Sequence, residues 1–344
     1  MQFGAFFLLG SPGLLPSEEM YGQALEWAAL AEALGFDSVW FAEHHFSNYG
    51  YIPNPLLMIV KAAQVTKRVR LGTAVLVLPF WHPLRIAEDI AMTDQLTEGR
   101  LEVGVARGYQ PYEFARFGIS MAEARERTDE CLEVLLRALS QDGFEYQGRY
   151  YTIPETTIFP KPRQWPHPPI WLAAHTRESF EIAARLGLRA ITTNSGRRIE
   201  TLEEGWGSFL AARAAHAVTG PAEFAVQQQI FVAPTDGEAR AQMEHFRYNF
   251  RQATNLRNGV QQVVKGFARS APVEGEPELD EFFESRTLTG SPATVRTKIA
   301  RYQEVCGMTA LNCTFQLGGM APKTVNGSMR LFAEQVMPHF RREA

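Results

Sequence analysis

Short apolar runs alternate with longer amphipathic ones along the chain, and the spacing of apolar positions switches between about 2 and about 3.6 at each change. This pattern predicts strands over residues 2–9, 38–41, 70–78 and 101–105, with helices over 17–34, 54–66, 83–96 and 121–139. A hairpin over 144–153 and a proline-rich connection over 160–169 interrupt the alternation. It resumes with strands at 170–174, 190–193 and 224–232, and helices at 177–186 and 200–216. A helix at 291–305, a strand at 311–315 and a helix at 325–337 complete it. Near-continuous apolar strands joined by helices imply a parallel sheet covered on both faces. Eight strand–helix units predict an α/β fold, a (β/α)8 TIM barrel over residues 1–344 as one domain. An open doubly wound sheet is the other solution, but no G-x-G-x-x-G follows any strand.

Residues 235–291 are longer than a barrel crossover needs. Positions 236–254 read as helical and Ala271 to Pro277 as an exposed loop, so an insertion or lid near strand seven is expected at 251–290. Composition adds little to this, because 45% hydrophobic and 21% charged residues are ordinary for a soluble globular chain. A net charge of -4 offers no broad field for nucleic acid or an anionic membrane, so an anion site must be built locally. The three cysteines, Cys131, Cys306 and Cys313, lack paired spacing, which suits a reducing cytoplasm. The apolar stretch from Phe3 to Leu9 is too short to span a bilayer and has no basic flank, so neither export nor membrane insertion is expected.

In a barrel of this kind the chemistry belongs at the carboxyl ends of the strands. Glu43-His44-His45 follows the second strand, Arg107-Gly108-Tyr109 the fourth, and His175 to Ser179 the fifth. A carboxylate beside imidazoles can handle a proton, although a polar loop after a strand is also ordinary. Thr176 can cap the helix that starts at Arg177, leaving a positive helix end beside Ser179 that suits a phosphate or is simply a capped helix. Arg107, with Arg125 and Arg127 on the next helix, could close a phosphate clamp, or pair with Glu123, Glu126 and Glu130. No histidine spacing fits a metal site, and no serine nucleophile elbow is present. Phe7, Phe46, Phe80, Trp81 and Tyr109 suggest an apolar pocket, or plain core.

The run from Leu71 to Pro79, His82-Pro83-Leu84-Arg85, Glu88-Asp89, Asp94-Gln95-Leu96, Gly99-Arg100 and Gly104 to Tyr109, preceded by Glu43-His44-His45-Phe46, resembles the bacterial luciferase-like family of flavin-dependent monooxygenases. The likeness continues through Pro168 to Trp171, Thr176 to Gly187 and Val232 to Asp236. It implies a (β/α)8 barrel that uses reduced FMN, delivered by a separate NAD(P)H:flavin reductase, and O2 to oxidise a small organic substrate through a flavin C4a-peroxide. His44 matches the histidine beside the flavin ring, with Glu43 orienting its neighbours as the second catalytic candidate. Arg107, Arg125, Thr176 and Ser179 match the positions that hold the flavin phosphate, with Glu178 among them. Ala74-Val75 falls where the family has a cis non-prolyl peptide under the ring, and Ala106, Tyr109 and Ala174 join the cofactor set. His45 and Glu88 match a pair that meets across a subunit interface, which implies a homodimer. Ala106 and His175 depart from the light-emitting subunits, so light emission is not expected. The same resemblance leaves room for deazaflavin F420 and hydride transfer, or for a flavin-binding protein without turnover.

Overall fold

The computed structural model describes residues 1–260 and 262–341; Gln261, inside the expected lid, and the last three residues lie outside the described residues. The strands are β1 (Gln2–Phe7), β2 (Ser38–Phe41), β3 (Arg70–Val77), β4 (Leu101–Ala106), β5 (Phe144–Gln147), β6 (Thr152–Thr156) and β7 (Ile170–Ala173). They continue with β8 (Arg189–Thr193), β9 (Phe224–Val232), β10 (Val263–Val264), β11 (Phe267–Ala268), β12 (Leu288–Gly290) and β13 (Ala310–Thr314). Parallel pairing runs β13-β1-β2-β3-β4-β7-β8-β9 and closes from β9 back to β13, which makes the expected eight-stranded barrel. β5 and β6 form the expected hairpin outside it. The short β12, which sequence pattern did not indicate, pairs only with the last three residues of β9.

Strand parity sets what faces where, because successive side chains point to opposite faces. Phe3, Ala5, Phe7, Val39, Phe41, Leu71 and Val103 point outward and are buried under the helices. Phe6, Leu8, Trp40, Ala42, Trp171, Ile191 and Ala225 fill the interior. The lower end of the barrel is sealed: Trp40 and Trp171 meet edge to face at 6.0 Å, and a Cβ on Gly72 would lie 2.1 Å from the Trp40 ring. Beneath them, buried Glu102 accepts from Trp171 Nε1 at 2.6 Å and pairs with Arg70 and Arg189. The open end is therefore the mouth, at the carboxyl ends of the strands.

The segment after β9 covers part of that mouth. Helices Asp236–Arg240 and Met243–Arg257 replace the single expected helix, because Thr235 and Glu238 form a capping box that starts a separate short helix. Ala253, Leu256, Val263 and Ala268 pack with the interior residues Leu8 and Tyr49. Asn48, four residues past His44, ties this cover to the β2 loop. Its Oδ1 accepts from Gln252 Nε2 and the Ala268 N–H, and its own N–H donates to Gly266 O at 2.7 Å.

Candidate active site

The chain leaves β2 extended, so His44 and His45 point in opposite directions. His44 turns into the mouth, with its ring edge-on to Tyr49 at 4.7 Å and Tyr109 at 5.9 Å. Its Nδ1 lies 3.1 Å from both Glu113 Oε1 and Gln110 Nε2. Glu113 Oε1 already accepts the His45 backbone N–H at 2.8 Å, so that oxygen is an acceptor and His44 Nδ1 donates to it. This assignment of the proton to Nδ1 leaves Nε2 as the lone pair facing the mouth.

Glu113 was not singled out from sequence, where the signal marks its helix and not its role. Pro111 at the first helical position and Gly118 in the left-handed conformation bracket the short helix Pro111–Phe117. That helix carries Glu113, 1% exposed, beneath His44.

His45 and Glu43 form a separate pair. His45 Nε2 lies 2.9 Å from Glu43 Oε1, and Glu43 also accepts the Val77 N–H at 3.0 Å and Trp81 Nε1 at 3.2 Å. Burial pushes the Glu43 carboxyl up, against the opposing effect of His45, Val77 and Trp81. Glu43 is thus placed with His45 and the end of β3, and none of its contacts reaches His44. Glu88, the expected partner of His45 across an interface, lies half-buried on helix Pro83–Leu96.

Under the mouth, the Ala74–Val75 peptide is cis, the geometry expected at that position. Pairing of β3 with β4 breaks between Thr73 and Leu76, and the Thr73 hydroxyl fills the gap by bonding Gly104 O at 2.8 Å and Gly104 N at 2.9 Å. A Cβ on Gly104 would lie 2.2 Å from Thr73 O, so the approach requires glycine. Past Arg70, Ala74 and Val75 are the half-buried step in a strand otherwise buried to its end, with Ala106 half-buried beside them.

The expected anion-binding helix is formed by Arg177–Arg185. Thr176 and Ser179 make a reciprocal capping box, and Ser179 Oγ accepts the N–H groups of His175 and Thr176 at 3.0 Å. The Glu178 carboxylate folds onto the Thr176 hydroxyl and its own N–H, which, with the Arg125 charge nearby, holds it below the usual carboxylate range. The helix end therefore already holds an oxyanion from its own chain. Arg125, Thr176, Glu178 and Ser179 come together here, and Ala174 is buried just before them, its N–H on Ile191 O at 2.9 Å. Arg107 is exposed at the end of β4, and no hydrogen bond or ion pair among the described residues ties it to that group. Arg127 instead pairs with Glu123 at 2.9 Å.

The expected aromatic pocket is corrected by parity. Phe7 faces outward and stacks on Trp27 at 5.5 Å, while Phe46, Phe80 and Phe117 cluster around His45 and Trp81 is spent on Glu43. Of that set only Tyr109 touches His44, and its hydroxyl donates to Tyr49 at 3.2 Å. Burial raises both phenols, so each keeps its proton. Across the mouth, His175 Nδ1 lies 3.0 Å from the Thr192 hydroxyl. Its ring edge is reached by solvent, but the crowded concave setting, and then the charges of Arg197 and Arg257, push its pKa down to about 3. Among the described residues no cluster of His, Cys, Asp or Glu could hold a metal, and no helix is long and apolar enough to cross a membrane.

Residues 1–308 match the model of the luciferase-like monooxygenases. The chain is 36% identical over 197 residues to the oxygenase component of flavin-dependent trigonelline monooxygenase from Acinetobacter baylyi, covering 57% of this chain and 54% of that one. Its backbone superposes on the monooxygenase RslO1 of Streptomyces bottropensis with a TM-score of 0.88 at 30% identity, covering 99% and 100% of the two chains. It also superposes on the oxygenating constituent of 3,6-diketocamphane monooxygenase from Pseudomonas putida, solved with FMN, at a TM-score of 0.83 and 22% identity over 100% and 99%.

Proposed function

Because the chain belongs to the luciferase-like monooxygenase family, we propose that it is the oxygenase component of a two-component system. It takes reduced FMN from a separate NAD(P)H-dependent reductase and uses O2 to oxygenate a small organic substrate. The observation that carries the reading is His44, whose Nδ1 is spent on Glu113 while Nε2 faces a mouth floored by Ala74 and Val75.

The residues fit a bound flavin on three counts. At the ends of β2 and β7 and within β3 the inward side chains Ala42, Ala173 and Ala74 are single methyl groups, and Gly104 has no room for even one, so side-chain volume is low where a flat ring needs space. Gln110, buried next to His44, turns one amide atom to His44 Nδ1 and leaves the other without a partner, open to a polar ring edge. The Glu178 carboxylate at the capped helix marks where a phosphate would sit, with Arg125 and Arg107 as its cations. The relative solved with FMN supports this cofactor. When bound, reduced FMN supplies the two electrons with which one oxygen atom enters the substrate and the other leaves as water. His44 Nε2 takes or gives a proton at the mouth while Glu113 fixes the ring, and the cover anchored at Asn48 excludes water.

The test is a pair of titrations followed by turnover. Oxidised FMN is expected to bind more tightly than riboflavin, and Arg125→Ala to remove most of that difference. With photoreduced FMN and air, a substrate screen read by product mass should find one added oxygen. Binding of F420 in preference to FMN, with no oxygen incorporated, would sink the proposal. We further propose a homodimer through helices Pro55–Val65 and Pro83–Leu96, where Leu57, Met92 and Leu96 stand exposed at 70%, 54% and 47%. Sedimentation of Leu57→Lys with Met92→Lys as a monomer is the expected outcome, and a wild-type monomer would refute it.

A further inference from the structure

The rim of the mouth carries positive charge with no ion-pair partner among the described residues. On helix Met243–Arg257, Arg247 pairs with Glu244, and Arg251 with Glu276. Arg257, at the end of the same helix, has no carboxylate partner among the described residues; its guanidinium lies over the Tyr109 ring, 4.9 Å from the centroid. Tyr109 is in turn the ring against His44, so this cation stands one side chain from the candidate proton-transfer group.

A second guanidinium faces it from the loop after β8. Gly196 approaches the Phe250 ring so closely that a Cβ would lie 2.8 Å away, and Gly196 O accepts from Arg286 Nη1 at 2.9 Å. Phe250 and Arg257 are seven residues apart and share one helix face. The contact therefore brings Arg197, half-buried and also without a carboxylate partner among the described residues, to the face that bears Arg257. His175, just past β7, bonds the Thr192 hydroxyl on β8 within reach of both charges, which add to burial in disfavouring its protonated form. Like charges crowded in a partly desolvated cleft repel, and an oxyanion between them removes that cost.

We infer that Arg257 and Arg197 are the recognition site for a carboxylate on the organic substrate, which is therefore a small organic acid held with its anionic end under the lid helix. The inference rests on the proposed reading in one respect: it assigns the flavin phosphate to the other anion site, at Thr176 to Ser179. A guanidinium would serve either oxyanion, so the test has to separate the two.

Binding to the full-length protein is measured by calorimetry, with saturating oxidised FMN and again without flavin. The probes are benzoate and hexanoate, each against its primary amide. A carboxylate preference of about tenfold or more is expected from a charge-assisted bond. Arg257→Gln should reduce it to about twofold, Arg197→Gln should reduce it in part, and Arg257→Lys should retain most of it. Absence of any carboxylate preference in the wild type, or its persistence in both glutamine variants, overturns the inference. So does a loss of FMN affinity in those variants with riboflavin affinity unchanged, which would assign the rim to the flavin phosphate. Failure of the wild type to bind FMN would count against the proposed function alone, since the flavin-free titrations still read the rim.

Discussion

His44 and His45 are consecutive, 8% and 7% exposed, and each meets a carboxylate at about the same distance, 3.1 Å and 2.9 Å. Their chemistry diverges because an extended chain sends neighbouring side chains to opposite sides. His44 meets Glu113 through Nδ1, so Nε2 is left for a substrate or cofactor. His45 meets Glu43 through Nε2 and is walled in by Phe46, Phe80 and Phe117. The carboxylates differ as well: Glu113 arrives from a separate helix and supports a group at the mouth, while Glu43 ties β2 to the end of β3 through the Val77 N–H. Which ring nitrogen is occupied, more than burial or the presence of an acid, separates a proton-transfer pair from a structural one.

The largest break in this comparison is expected from His44→Ala. It should slow product formation by roughly 10² to 10⁴, the range for loss of an acid–base group, while leaving FMN affinity near wild type. Glu113→Gln keeps the shape but weakens the hold on Nδ1, and a lost bond of about 1.5–3 kcal/mol corresponds to roughly ten- to hundredfold in kcat. Stopped-flow turnover beside flavin titration reads both, and parallel loss of binding and turnover in His44→Ala would contradict the role. Glu43→Gln should act on stability: it disturbs a buried acceptor of three donors, which costs about 1–3 kcal/mol in urea unfolding, with a smaller effect on kcat. A kcat loss equal to that of Glu113→Gln would erase the distinction drawn between the two pairs.

The barrel was legible in the sequence because its signal is periodic and repeated: strand parity and crossover helices are imposed by burial at every turn. The ends of β2, β4 and β7 were legible for the same reason, since the strands had only to be located for Glu43 to His45, Arg107 and His175 to Ser179 to fall at one mouth. What stayed hidden depends on contacts distant in sequence. Glu113 lies 69 positions from His44, and nothing in its own short helix announces that partner. The outward turn of Phe7 was a matter of phase: Phe6 and Phe7 are equally apolar, and only the register with β2 decides which one faces inward. Arg197 and Arg257 are separated by one strand and two helices, with Arg257 ending a third, and the Gly196–Phe250 contact that aligns them is tertiary.

The smallest expected effect concerns a third histidine, whose setting contrasts with both pairs because its charged neighbours are cations. The ordinary histidine value is 6.5, and His175 is pushed down to about 3, so between those limits the unfolded chain binds a proton that the folded chain refuses. Stability from this group is therefore full above about pH 6.5 and is lost as pH falls toward 3. Imidazole NMR from pH 3 to 8 should find the His175 ring neutral throughout the upper part of that range. In Arg257→Gln one of the two repelling charges is gone, and the midpoint should rise toward 6.5 while the thermal midpoint at neutral pH barely moves. A His175 that already titrates near 6.5 in the wild type would mean that neither burial nor the two guanidiniums act on its ring, and the contrast between its acid-paired and cation-facing histidines would fail.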